Sequence, residues 1–196
     1  MSDLPRVYLV RHGETEWSKA GQHTGRTDLP LTPAGEELAK RIGERLRGLA
    51  FARVLSSPRV RARRTAELAG FTPEIDPDLA EWDYGDYEGL TSAEVRARRP
   101  GWTLFADGCP NGESVQQVSD RADRVAGRLK SLGGNVLVVA HGHFLRVLGA
   151  RWVGQPVGFA QHLLLGTAAV CTLGFDHNSP DEPAIALWND TGRPGG

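Results

Sequence analysis

The chain has 196 residues, 40% hydrophobic and 24% charged, the usage of an ordinary globular protein with one substantial core. Its 23 basic and 24 acidic side chains leave a net charge of −1, which removes the electrostatic footprint expected of a partner for nucleic acid or an anionic membrane. Two cysteines without CxxC spacing, Cys109 and Cys171, exclude a disulfide scaffold and a thiolate metal centre, so reduced thiols in a cytoplasmic protein are expected.

Val7–Val10 is a continuous apolar run, the pattern of a strand buried on both faces and far too short for a signal peptide or a membrane span. Thr32 offers an N-cap with Pro33 at the first helical position. Leu38, Ile42, Leu46 and Leu49 then recur at helical spacing and predict a helix over 33–49. Val54-Leu55 is a second strand, and Ser57-Pro58 repeats the cap-plus-proline signal at the head of a helix reaching Glu67. Glycine and proline break the pattern over 70–112, where loops surround one short helix at Thr91–Arg98. Ser114 and Gln117 form a capping box ahead of an amphipathic helix marked by Val115, Val118, Ala122, Val125, Leu129 and Leu132. Val136–Ala140 is another apolar strand, followed by a helical stretch to Val153. Ala168–Phe175 and Ala184–Trp188 are late strands about a turn at 178–181.

This alternation predicts an α/β fold, a three-layer α/β/α sandwich with a mostly parallel sheet. One domain is expected over 1–192, with a loose C-terminal tail at 193–196. Ligands of such sheets sit beyond the carboxyl ends of the strands. Arg11-His12-Gly13 follows one strand there, and His141-Gly142-His143 follows another. Arg61 lies in the first turn of the helix after a third strand, where a guanidinium suits phosphate. A neutral imidazole is a competent nucleophile for phosphoryl transfer, and guanidiniums fork onto phosphate oxygens as lysine does not. His141, if cationic, adds a further donor. Glu81 is the candidate acid for the departing oxygen, competing with Glu88 and Glu113. Glu113 also reads as a first-turn charge favouring the helix dipole. Arg59, Arg63 and Arg64 read as a solvated helix face, and His23, His162 and His177 as surface or packing residues.

The run Arg11-His12-Gly13-Glu14-Thr15-Glu16-Trp17 resembles the signature of the histidine phosphatase superfamily, the phosphoglycerate-mutase-like family. The similarity continues in order through Thr24-Gly25, Leu31-Thr32, Gly35, Ser57-Pro58, Arg61-Ala62, Glu81 to Gly89, Gly112-Glu113-Ser114 and His141-Gly142. The resemblance implies that His12 is the phosphorylated residue, that Arg11, Arg61 and His141 complete its phosphate pocket, and that Glu81 is the proton donor. By the same matching Gly13, Thr15, Ser18, Thr24, Gly25, Tyr84, Gly142 and His143 are placed at phosphate or substrate. Ser18 departs from the asparagine usual in the family after the tryptophan. The stretch Asp83 to Gly89, with Asp107-Gly108-Cys109 and His141-Gly142-His143, looks like the sedoheptulose-bisphosphatase and broad-specificity acid-phosphatase branches.

The expected activity is hydrolysis of a small phosphorylated metabolite, with no cofactor and no metal ion; the alternative is a cofactor-dependent phosphoglycerate mutase. No nucleic acid or membrane partner is expected, and the sequence leaves a homodimer open. His141-Gly142-His143 also reads as an HxH metal pair, but lacks the carboxylates and further histidines such centres use. A non-catalytic phosphate-binding module is the remaining rival.

Overall fold

Among the described residues six segments form strands: β1 (Arg6–Arg11), β2 (Arg53–Ser56), β3 (Glu74–Ile75), β4 (Asn135–Ala140), β5 (Val170–Phe175) and β6 (Pro183–Asp190). They make one sheet in the order β3-β2-β4-β1-β5-β6 in a computed structural model that describes residues 4–192. The tail expected at 193–196 lies outside the described residues. Strands β3, β2, β4 and β1 run parallel, while β5 and β6 are antiparallel to their neighbours. The mostly parallel sheet therefore has an antiparallel edge. Register places Arg11 beside Ala140 and Val139 beside Ser56. His12, His141 and Ser57 thus leave the sheet at one end, side by side.

Around the sheet lie α1 (Glu16–Ala20), α2 (Pro33–Arg45), α3 (Val60–Leu68), α4 (Ser92–Arg98), α5 (Leu104–Asp107), α6 (Val115–Lys130) and α7 (Gly142–Trp152). Successive strand residues feed opposite faces, as the pleat requires. Val7 and Leu9 of β1, with Val136 and Val138 of β4, pack on the side of α6 and α7. Val10, Leu137 and Val139 pack on the side of α2 and α3. Both faces are covered, which is why β1 and β4 read as unbroken apolar runs. Each fully buried leucine, such as Leu9 or Leu137, contributes about 1.5–3 kcal/mol.

Several boundaries move. Helix α2 stops at Arg45; Leu46 still packs in the core, but Gly48 turns with φ 85° and Leu49 is left exposed. Strand β5 starts at Val170, because Ala168 takes φ 58°. Helix α3 begins at Val60, with Arg59 at its cap position and no side-chain cap. Ser57 is not that cap; its hydroxyl accepts from Arg59 N (3.3 Å) and meets His141 instead. The short elements α1, β3 and α5 carry no periodic signal. Cys109 and Cys171 are buried free thiols, both pushed up to about 12 by burial. Among the described residues no helix is long and apolar enough to cross a membrane.

The predicted caps set the entry to the site. Thr32 Oγ1 accepts from Gly35 N at 3.0 Å and brings the first turn of α2 against the end of β1. A Cβ on Gly13 would collide with the Gly35 carbonyl, and one on Gly35 with the Glu14 carbonyl. Gly13→Ala is therefore expected to cost about 1–3 kcal/mol by overpacking. Urea denaturation measures it, and an unchanged midpoint would contradict the fit.

Candidate active site

The His12 amide donates to Ala140 O at 2.9 Å, carrying the parallel ladder one residue past β1. Its ring is buried, with Nδ1 2.7 Å from Gly13 O. A carbonyl only accepts, so Nδ1 bears the hydrogen and Nε2 keeps its lone pair. Gly13 N donates in turn to Thr65 Oγ1 (3.0 Å), and Thr65 Oγ1 donates to Arg61 O (2.7 Å), which ties this backbone to α3. Burial, then the charges of Arg61 and Arg11, hold the His12 imidazole well below its ordinary range. The ring is neutral.

The rings of His12 and His141 are 5.1 Å apart, edge to face. Arg61 Nε donates to His141 Nδ1 (3.2 Å), so the His141 hydrogen is on Nε2, which lies 2.7 Å from Ser57 Oγ. Burial, reinforced by Arg61, keeps this ring neutral as well. Arg61 is fully buried and donates to the carbonyls of Thr24 (2.8 Å) and Thr27 (2.9 Å). Its charge stands behind the histidines rather than on an open wall.

Arg11 reaches the cavity. Its Nη1 donates to Leu165 O at 2.6 Å, and its buried Nε has no hydrogen-bond partner. Gly142 makes room for it: a Cβ there would lie 3.1 Å from Arg11 Nε and 3.2 Å from Cζ. Gly142→Ala must displace the guanidinium, and kcat/KM is expected to fall by up to about 10²-fold, with the melting temperature changed little. Equal activity of the variant in a steady-state assay would show that the position of Arg11 does not matter.

Glu81 meets the start of α7. Its Oε1 accepts from Trp82 N and Phe144 N, both at 2.8 Å, and Oε2 accepts from His143 N at 3.1 Å. Oε1 is thus saturated, and Oε2 has room for a further partner. Tyr84 Oη lies 2.6 Å from His143 Nδ1, and the Tyr84 ring stacks on His23 at 4.7 Å. Burial pushes the Tyr84 phenol well up and, with Arg146 adding to it, the His143 imidazole well down, so both are neutral.

A cavity of about 260 Å³ is lined by Arg11, His12, Ser18, Thr24, Glu81, Tyr84, Gly142 and His143 among the residues named from sequence. Arg61, His141, Gly13, Thr15 and Gly25 are not on its wall. Thr15 is buried as the N-cap of α1, and Ser18 completes its capping box: Ser18 N donates to Thr15 Oγ1 (3.2 Å), and Thr15 N to Ser18 Oγ (2.9 Å). Gly25 N donates to the Glu88 carboxylate at 2.9 Å. Gln22, His23, Ser92, Arg146 and Leu165 also line the cavity, and sequence reasoning does not find them. His23 is packed in its wall rather than on the surface. Arg146 stands one helical turn beyond His143, which is a readable signal. Gln22, His23 and Leu165 come from loops and Ser92 opens α4, and none of them has such a signal. Trp102 is buried behind His23, with the two ring centres 5.7 Å apart.

An α/β sheet with a lone-pair imidazole at one strand end, an arginine beside it and a carboxylate across the cavity defines a phosphoryl-handling enzyme of the histidine type. The model of the histidine phosphatase superfamily (branch 1) matches residues 7–191. The acid phosphatase of Mycobacterium tuberculosis is 44% identical, covering 96% of this chain and 94% of that protein. The sedoheptulose 1,7-bisphosphatase of Saccharomyces cerevisiae is 40% identical over 93% of this chain and 92% of that one. A solved structure of a Mycobacterium tuberculosis open reading frame product has a TM-score of 0.90 and 42% identity, covering 96% of this chain and 98% of its own. The chain belongs to the histidine phosphatase superfamily. It is a phosphatase.

Proposed function

We propose that the chain hydrolyses a small phosphomonoester in two steps, with His12 as the covalent carrier. Nε2 of His12 attacks phosphorus, the ester P–O bond breaks, and Glu81 protonates the departing oxygen from Oε2. Water then attacks the phosphohistidine, gives its proton to Glu81, and the P–N bond breaks to release phosphate. The observation that carries this reading is the fixed tautomer of His12, with Nδ1 on Gly13 O and Nε2 free. Arg11 grips the transferred group directly, and Arg61 adds positive charge from behind. Ser57 and His141 hold Arg61 and the second ring in place.

Two guanidiniums beside neutral imidazoles supply the charge stabilisation that a divalent ion supplies elsewhere, and they repel such an ion. The reaction therefore runs without a metal. A cavity of about 260 Å³ suits a small metabolite rather than a polymer. The names of the two relatives, an acid phosphatase and a sedoheptulose 1,7-bisphosphatase, support small phosphomonoesters, sugar phosphates among them, as substrates. Phosphate release from p-nitrophenyl phosphate and a sugar-phosphate panel is expected to persist in EDTA, with little isomerisation of 3-phosphoglycerate when 2,3-bisphosphoglycerate is supplied. Activity lost to EDTA and restored by a divalent ion, or isomerisation outrunning release, would overturn the reading.

A pH dependence follows from the buried rings. Burial depresses the pKa of His12, His141 and His143 in the folded chain, so the unfolded chain binds more protons below about 6.5. The stability they carry is complete above that pH and is lost as the pH falls below it. Urea midpoints are expected to drop from about pH 6.5 toward about pH 5; a flat or rising midpoint would mean that the rings charge while folded.

A further inference from the structure

Arg121 of α6 does not touch the cavity around His12, yet four of its hydrogen bonds converge on the backbone and ion pair that frame Glu81. Its Nη1 donates to Ala80 O (2.7 Å) and Asp78 O (2.8 Å). Nε and Nη2 fork onto Glu113, at 2.8 Å to Oε1 and 2.6 Å to Oε2. The guanidinium also lies 4.3 Å from the centre of the Phe144 ring. Ala80 precedes Glu81, and Phe144 supplies one of the two N–H groups on Glu81 Oε1. Glu113 closes the frame from its own backbone: its carbonyl accepts from Trp82 Nε1 (2.8 Å), and its amide donates to Asp83 O (2.9 Å). Both partners of the pair are largely buried, at 11% and 14% side-chain exposure, so the fork is mostly shielded from water.

We propose that Arg121, paired with Glu113, is a positioning residue that holds the Glu81 carboxylate in line with the leaving oxygen. The inference rests on the reading of Glu81 as the proton donor. A surface pair on α6 would have no reason to bind two carbonyls of the loop bearing the acid and to stack on the residue that binds its oxygen. A lysine carries the charge of Arg121 but cannot reproduce the fork and the two carbonyl bonds together. Loss of the frame lets Oε2 drift, and about 1 Å of drift costs proton transfer about 10²-fold.

The test compares kcat/KM across phosphomonoesters whose leaving groups run from nitrophenol to alkyl alcohol, in the wild type, Arg121→Lys, Glu81→Gln and the double variant. Arg121→Lys is expected to lose about 10–10²-fold on the alkyl ester and to stay within about threefold on the nitrophenyl ester. In the Glu81→Gln background its effect should vanish, because the group it positions is gone. A loss equal across leaving groups, or one that adds fully to Glu81→Gln, would make Arg121 merely structural and overturn the proposal alone. Should Glu81→Gln itself show no leaving-group dependence, the acid assignment falls and this inference falls with it. Melting curves accompany each variant. If Arg121→Lys does not fold, Glu113→Gln, which keeps the acceptor and removes the charge, enters the same cycle. A leaving-group-dependent loss that vanishes with Glu81→Gln then supports the proposal, and a uniform or additive loss overturns it.

Discussion

His12→Ala is expected to lower kcat/KM by about 10⁴–10⁶-fold, the range for removing a member of a covalent catalytic unit. The size follows from the two-step route: without Nε2 no phosphoenzyme forms, and only binding by Arg11 and the positive surroundings is left to assist direct attack by water. Structure around the ring argues that the loss is chemical. The His12 side chain makes one hydrogen bond, to Gly13 O, while the backbone tie to Ala140 and the Gly13–Thr65–Arg61 chain do not use the imidazole. Binding of vanadate or phosphate to the variant should therefore survive far better than turnover. A variant that keeps a tenth of the wild-type rate would rule out His12 as the carrier.

Glu81→Gln is the second large effect, and its signature is selective. General acid catalysis contributes about 10²–10⁴-fold, so an alkyl phosphate should lose that much, while a nitrophenyl ester, whose leaving group needs no proton, should phosphorylate the enzyme almost normally. Glutamine preserves the volume and an oxygen for Trp82 N and Phe144 N, but its NH₂ group would face His143 N, a donor against a donor. The same substitution removes the base for the second step. A rapid-mixing experiment with the nitrophenyl ester should show a burst of nitrophenol near one per active site, followed by slow turnover. No burst, or equal losses on both esters, would assign the proton donor elsewhere.

Much of this architecture is legible in the order of the amino acids. Strands β1 and β4 are buried on both faces, so their sequences are unbroken apolar runs, and the residues directly after them have to emerge at the ligand end of a parallel sheet. Thr32 and Ser114 announce α2 and α6 through capping chemistry that the structure reproduces. Helical spacing alone does not separate Arg61 from its neighbours; the family pattern does. The structure buries Arg61 and exposes Arg63 and Arg64, while Arg59 is half-buried with an unpaired Nε, unlike the solvated residue expected.

What is not legible depends on contacts distant in sequence. His23 belongs to the cavity only because the loop carrying Tyr84 folds back onto it. Strand β3 is two exposed residues held by pairing with β2, with no pattern of its own. His141 reads as a direct phosphate donor, but both its nitrogens are engaged, by Arg61 and Ser57. Arg121 and Glu113 each read as ordinary charges of α6 and its entrance, and only the fold joins them beneath the acid loop.

The most direct test is to quench Glu81→Gln during turnover of the nitrophenyl ester and map the phosphoryl group by mass spectrometry under alkaline conditions, where phosphohistidine survives. The two-step route predicts one acid-labile phosphate on the peptide containing His12, bonded through Nε2. Phosphate on His141, Ser57 or any other side chain, or a burst that leaves the protein unmodified, would contradict it.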